Sequence, residues 1–168
     1  MSPSHYKFSL VPRAGILREH GCVPDELADY QARIGSEEDI YHPHSTYWIN
    51  SPPPETLASE VGAILEPGPS SSEDALMYGS SGGTQIQIWK QREIYVKFDL
   101  EGPDFGLLLP LLAFAARHDL LVVSTLLGQP LEPSYEPIVQ DIRTTVACAY
   151  FEDPREYIKM LAESEDDE

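Results

Sequence analysis

Tyr6, Phe8 and Leu10 alternate with Lys7 and Ser9, the period-two pattern of a half-buried strand, and the run ends near Pro12. Residues 13–23 show no clear period and read as irregular. Pro24-Asp25-Glu26 resembles the first turn of a helix with Leu27, Ala28, Tyr30 and Ile34 as its apolar positions and Gly35 as its stop. Residues 36–50 are polar, acidic and aromatic, and read as a long loop. Ser51 is placed to cap a helix that starts at Pro52 and Pro53. Leu57, Val61, Ile64 and Leu65 follow at helical spacing, and Pro67-Gly68-Pro69 ends the run.

Residues 68–74 (GPSSSED) read as a flexible connector, Ala75 to Tyr78 as a short strand and Ser80 to Gly83 as a turn. The clearest β signal is the pair Thr84–Lys90 and Glu93–Leu100, joined at Gln91-Arg92, with Ile86, Ile88, Ile94 and Tyr95 in alternating runs. From Gly102-Pro103-Asp104 to about His118 the chain is apolar nearly all round, which predicts a central helix covered on more than one side. Pro110 should kink that helix or delay its start. Leu120 to Thr125 reads as a buried strand, and Gly128 and Pro130 as a turn. Ser134 caps a helix from Tyr135 to Tyr150, and Pro154 starts another to Ala162. The expectation is one α+β domain over residues 1–162, a mostly antiparallel sheet packed with helices, followed by an acidic tail at 163–168. No repeat and no linker between two cores is visible.

Charge changes the picture. The 168 residues carry 11 Lys and Arg against 28 Asp and Glu, a net −17. Between Arg33 and Lys90 there is no Lys or Arg, yet eight carboxylates occur: Glu37, Glu38, Asp39, Glu55, Glu60, Glu66, Glu73 and Asp74. Such a surface repels phosphate and anionic lipid and attracts basic protein. Nucleic acid and membrane surfaces are therefore excluded as expected partners, and a basic protein is favoured. The two cysteines, Cys22 and Cys148, lie far apart with no CxxC, as for reduced thiols in a cytoplasmic protein. The N-terminal MSPSHYKFSL is not patterned as a signal peptide, and the run Leu107 to Ala116 is too short for a span.

Catalytic patterns do not assemble. His42-Pro-His44 lies near Asp39 and Tyr41, but a third remote ligand for zinc is missing, and exposed loop histidines are the plainer account. Gly79-Ser-Ser-Gly82-Gly83 leads into a β run rather than a helix, so it is a connector and not a phosphate loop. Cys148 sits among apolar residues, unlike an activated nucleophile. No cofactor or metal is called for. Tyr41, Tyr47 and Trp48 are different. Beside Glu37, Glu38 and Asp39 they are either interface anchors ringed by charge or side chains that fold inward and hold the loop, and the sequence leaves both open. The candidate partner-binding set is Glu37, Glu38, Asp39, Tyr41, Tyr47, Trp48, Glu73 and Asp74.

Residues 84–135 carry a resemblance. Val96-Lys97-Phe98-Asp99 closes a hairpin and Pro103-Asp104-Phe105 opens an apolar helix. His118 to Val123, Gly128-Gln129-Pro130 and Leu131-Glu132-Pro133 follow. This ending resembles that of α+β immunity proteins of polymorphic and type VI secreted bacterial toxins, one family of which is paired with nucleases of restriction-endonuclease fold. The resemblance implies non-enzymatic neutralisation of a cognate basic toxin, a nuclease, in the cytoplasm of the producing cell, with no catalytic residues. An adaptor or secretion chaperone for a basic cargo uses the same charge argument. An enzyme built on the His/carboxylate loop is the third reading. Nothing in the chain argues for or against a homo-oligomer.

Overall fold

The computed structural model describes residues 5–27, 44–51, 55–70, 72–80, 82–90, 93–124, 128–144, 153 and 155. The alternating runs of the sequence become strands of a single six-stranded sheet. In chain order they are β1 (His5–Pro12), β2 (Ala75–Gly79), β3 (Gln85–Trp89), β4 (Glu93–Asp99), β5 (Leu120–Ser124) and β6 (Pro130–Leu131). They lie in the order β2-β3-β4-β1-β5-β6, and every neighbouring pair is antiparallel. Among the described residues four α-helices accompany them: α1 (Arg13–His20), α2 (Leu57–Ile64), α3 (Phe105–Arg117) and α4 (Tyr135–Thr144). The protein is α+β, as the pattern predicted.

Register decides what each face buries. Tyr6, Phe8 and Leu10 share one face with Ile86, Ile88, Ile94, Val96, Phe98 and Val122. Against it pack Leu57 and Val61 of α2, Leu108, Leu111, Leu112 and Phe114 of α3, and Ile138 and Ile142 of α4. Each such side chain, fully buried, stabilises the fold by about 1.5–3 kcal/mol. The opposite face carries two smaller apolar clusters: Val11, Leu121 and Val123 meet Ile16, Leu27 and Tyr47, and Ala75, Met77 and Trp89 pack together on β2 and β3. Polar side chains lie beside the second cluster. Trp89 Nε1 donates to Gln87 Oε1 at 3.1 Å and Gln87 Nε2 donates to Gln85 Oε1 at 2.8 Å. Lys7 lies directly across from Lys97, and burial, then that second charge, lowers the Lys7 pKa.

Both sheet edges are blunted. Residues 66–70, which include the first part of the expected 68–74 connector, strap the free edge of β2. Gly68 N–H donates to Met77 O and Gly79 N–H to Glu66 O, both at 2.8 Å, and Ser70 Oγ donates to Ala75 O at 2.6 Å. A Cβ on Gly68 would overlap the Gly79 carbonyl. The other edge, β6, is two residues long and begins with proline, which cannot donate to another strand.

Other expectations need correction. Residues 13–20 are helical rather than irregular, ending at Gly21, whose φ of 74° and N–H bond to Leu17 O form a left-handed cap. The proposed helix from Pro24 does not form over residues 24–27. Leu27 instead donates its N–H to Gly128 O at 2.8 Å, and the rest of that segment lies outside the described residues. α2 begins at Leu57, after Thr56, rather than at Pro52. α3 is buried along one side only: Leu109 is 54% exposed, and Gly106, Pro110 and Ala113 also face solvent. Pro110 sits inside the helix without delaying its start at Phe105. The N–H it lacks would have bonded Gly106, on the exposed side. Residues 145–150 of the predicted 135–150 helix, residues 154 and 156–162 of the predicted 154–162 helix, the 163–168 tail and Cys148 lie outside the described residues.

Candidate functional site

The expected partner surface separates into parts with different roles. Glu37, Glu38, Asp39, Tyr41 and His42 lie outside the described residues. Tyr47 and Trp48 lie inside them, on a short 3₁₀ helix at Ser45–Trp48, and both are buried, at 8% and 2% exposure. Of the two readings the sequence left open, folding inward is the one observed. Tyr47 joins the first of the two small clusters, and Trp48 joins the main core on the other face. The turn therefore clips over the end of the sheet with one aromatic ring in each cluster.

Short-range contacts lock this clip to α1. A Cβ on Gly15 would overlap the Tyr47 carbonyl, so only glycine lets the helix approach this closely. Arg18 Nη2 donates to Thr46 O at 2.9 Å, and His20 Nε2 and the Tyr47 hydroxyl are hydrogen-bonded at 2.9 Å. The His44 ring stacks on Tyr47 at 6.1 Å and is 5% exposed, which corrects the expectation of an exposed loop histidine. Burial lowers the His44 pKa, with the Glu93 charge acting in the opposite direction. Burial also raises the Tyr47 phenol, and Glu19 adds to the rise.

Glu73 and Asp74 behave as expected of surface acids. Both are exposed in the turn before β2, where the Asp74 carbonyl accepts the Lys90 N–H at 2.9 Å. Ala75 pairs with Trp89, and Trp89 with Glu93, so Glu93 stands two strand spacings from Ala75, about 10 Å. His44 lies within electrostatic reach of Glu93. The acidic turn and the aromatic clip therefore share one end of the sheet.

The distribution of ion pairs sharpens the charge argument. Among the described residues, Glu55, Glu66, Glu73 and Asp74 are exposed and none of them makes an ion pair. Arg13 and Arg18 are engaged elsewhere. Arg13 bonds Asp119 at 2.9 Å and Glu132 at 2.7 Å, and Arg18 bonds Glu19 at 3.2 Å. Of the acids between Arg33 and Lys90, Glu60 alone among the described residues is paired. It meets His118 at 2.7 Å and Arg117 at 3.3 Å, joining α2 to the end of α3. Burial acts to raise the Glu60 pKa, but the hydrogen bonds from His118 and Arg117 outweigh it and the carboxyl is lowered.

Comparison with family models, with curated proteins and with solved structures returned no match.

The buried polar groups look structural. The Tyr6 hydroxyl donates to Asp141, tying α4 to β1, and burial together with that hydrogen bond raises the Tyr6 pKa far above its usual value. Asp141 sits on the buried side of α4 between Ile138 and Ile142. Among the described residues, no three His, Cys, Asp or Glu side chains are grouped to hold a metal ion. No helix of the described residues is long and apolar enough to cross a membrane.

Proposed function

We propose that the protein binds a basic partner protein and that this partner is a cognate secreted toxin of nuclease type. Neutralisation occurs by occlusion, without catalysis, in the cytoplasm of the producing cell. The observation that carries the reading is the set of exposed carboxylates with no cation partner among the described residues, Glu55, Glu66, Glu73 and Asp74, in a chain whose Arg13, Arg18 and Arg117 are engaged by other acids. Such a surface steers a basic partner and raises its association rate, and it disfavours phosphate-bearing ligands. The resemblance of residues 84–135 to immunity proteins supplies the toxin as the kind of partner.

The test is capture of partners from the native host by the tagged chain at low and high salt, followed by an activity assay of the captured protein. One dominant basic partner with a toxic activity, released by salt and inhibited while bound, is the expected result. A captured partner that stays fully active makes the protein an adaptor or chaperone instead. Absence of a specific partner at either salt concentration overturns the binding reading.

A further inference from the structure

At the far end of the sheet from Glu73 and Asp74, an open groove of about 720 Å³ runs between the end of α2, the 66–70 strap and the first turn of α3. Its walls include Ile64, Leu65 and Leu107, and its polar lining includes Glu66, Asp99 and Asp104. No Lys or Arg is among the described residues that line it. Asp99 Oδ1 accepts the Glu101 N–H at 2.9 Å, and Asp104 Oδ1 accepts the Leu107 N–H at 3.2 Å as the cap of α3. Each carboxylate thus spends one oxygen on the backbone, and neither makes an ion pair among the described residues. Because Asp104 already occupies the α3 N-terminus, the groove is not an anion site.

Gly102 supplies a separate observation. It does not have a positive φ, and a Cβ there would sit at an ordinary 3.7 Å from Asp99 Oδ2. The backbone does not demand glycine, yet its bare rim leaves the Asp99 carboxylate uncovered. Apolar walls beside carboxylates suit a Lys or Arg side chain, whose hydrocarbon stem packs while its head makes charge-assisted hydrogen bonds.

We propose that this groove receives a basic segment of the partner protein, with a Lys or Arg head on Asp99 and Asp104 and its stem along Leu65 and Leu107. The proposal rests on the reading of a basic partner and places a contact surface distinct from the Glu73–Asp74 end. It is tested by amide NMR titration of the full chain with acetyl-Arg-Leu-Arg-amide, and with acetyl-Glu-Leu-Glu-amide as the control. The arginine peptide should shift Ser80, Gly102 and Leu107. Asp99→Asn with Asp104→Asn keeps both backbone hydrogen bonds and the α3 cap, and should weaken binding at least tenfold. Gly102→Leu fills the groove without changing charge and should weaken binding similarly. Equal binding of the two peptides, no shift at these amides, or undiminished binding by Gly102→Leu overturns the groove. Arginine-peptide shifts confined to Glu73 and Asp74 overturn it too, while leaving the basic-partner reading standing. If the native-host capture also yields no basic partner, both fail.

Discussion

The aromatic clip at residues 44–48 and the acidic turn at 73–74 stand at the same end of one sheet and divide the work between them. Tyr47 and Trp48 are nearly inaccessible and place a ring in each of two apolar clusters. Glu73 and Asp74 are exposed and engage no cation among the described residues. Both lie in the stretch that lacks Lys and Arg, so shared composition does not imply a shared role. Aromatic rings gain by leaving water and carboxylates lose by it. Stability therefore resides in the clip, and the turn keeps its charge in water, where it would steer a basic partner.

The comparison breaks most readily at Trp48. Trp48→Ala should cost about 3–5 kcal/mol of stability, measured by urea unfolding. At a temperature where the variant remains folded, partner association should be unchanged. A variant of native stability with lost affinity would make Trp48 an anchor after all. Gly15→Ala comes next. Helix propensity alone would favour it by about 1 kcal/mol, but the new methyl meets the Tyr47 carbonyl, which is backbone and cannot swing aside. The expected outcome is a net loss of about 1–3 kcal/mol. A gain in stability would show that α1 is not pressed onto the clip.

How far the sequence could foresee this division depends on where each signal lies. The strands were legible because Tyr6, Phe8 and Leu10, and likewise Ile86 and Ile88, repeat along one face that the helices cover. The exposure of Glu73 and Asp74 was legible from the turn residues around them. α1 was missed because its order comes from another segment: Gly15 and Ile16 are its buried positions, too few to set a helical period. Gly21, with Arg18 and His20 in the last turn, was the available sign of a helix stop. Tyr47 and Trp48 stayed ambiguous because an aromatic ring serves an interface and a core by the same physics. α3 read as apolar all round, yet it has neighbours on one side only, and this leaves Leu109 in water. Neighbouring elements are not encoded in the period of a single helix.

Protonation tests the clip more gently. The His44 pKa is lowered from 6.5 by burial, so the folded state prefers the neutral ring more than the unfolded chain does. The associated stability is fully present above about pH 6.5, the unfolded value, and is lost as pH falls toward the folded one. One proton gives a slope of at most about 1.4 kcal/mol per pH unit. His44→Phe keeps a ring on Tyr47 and should flatten the decline in urea stability between about pH 7.5 and pH 5. An unchanged slope would assign it to another group. Glu60 is separable, because its carboxyl is lowered and titrates below the ordinary carboxylate range.

The smallest effect on stability should come from the acidic turn itself, and it is the most informative about function. Glu73→Lys with Asp74→Lys alters two exposed side chains, and the Asp74 contact with Lys90 uses the backbone carbonyl, which the substitution keeps. Urea stability should stay within about 0.5 kcal/mol of the native chain. Association with a basic partner should slow at low salt, and the rates of the native and reversed chains should converge as salt rises, because screening removes steering and leaves short-range contacts intact. A loss of affinity that persists at high salt would mean that the turn makes direct contacts rather than steering. Unchanged association at every salt concentration would remove the turn from the partner surface and shift the weight of recognition to the groove at the other end of the sheet.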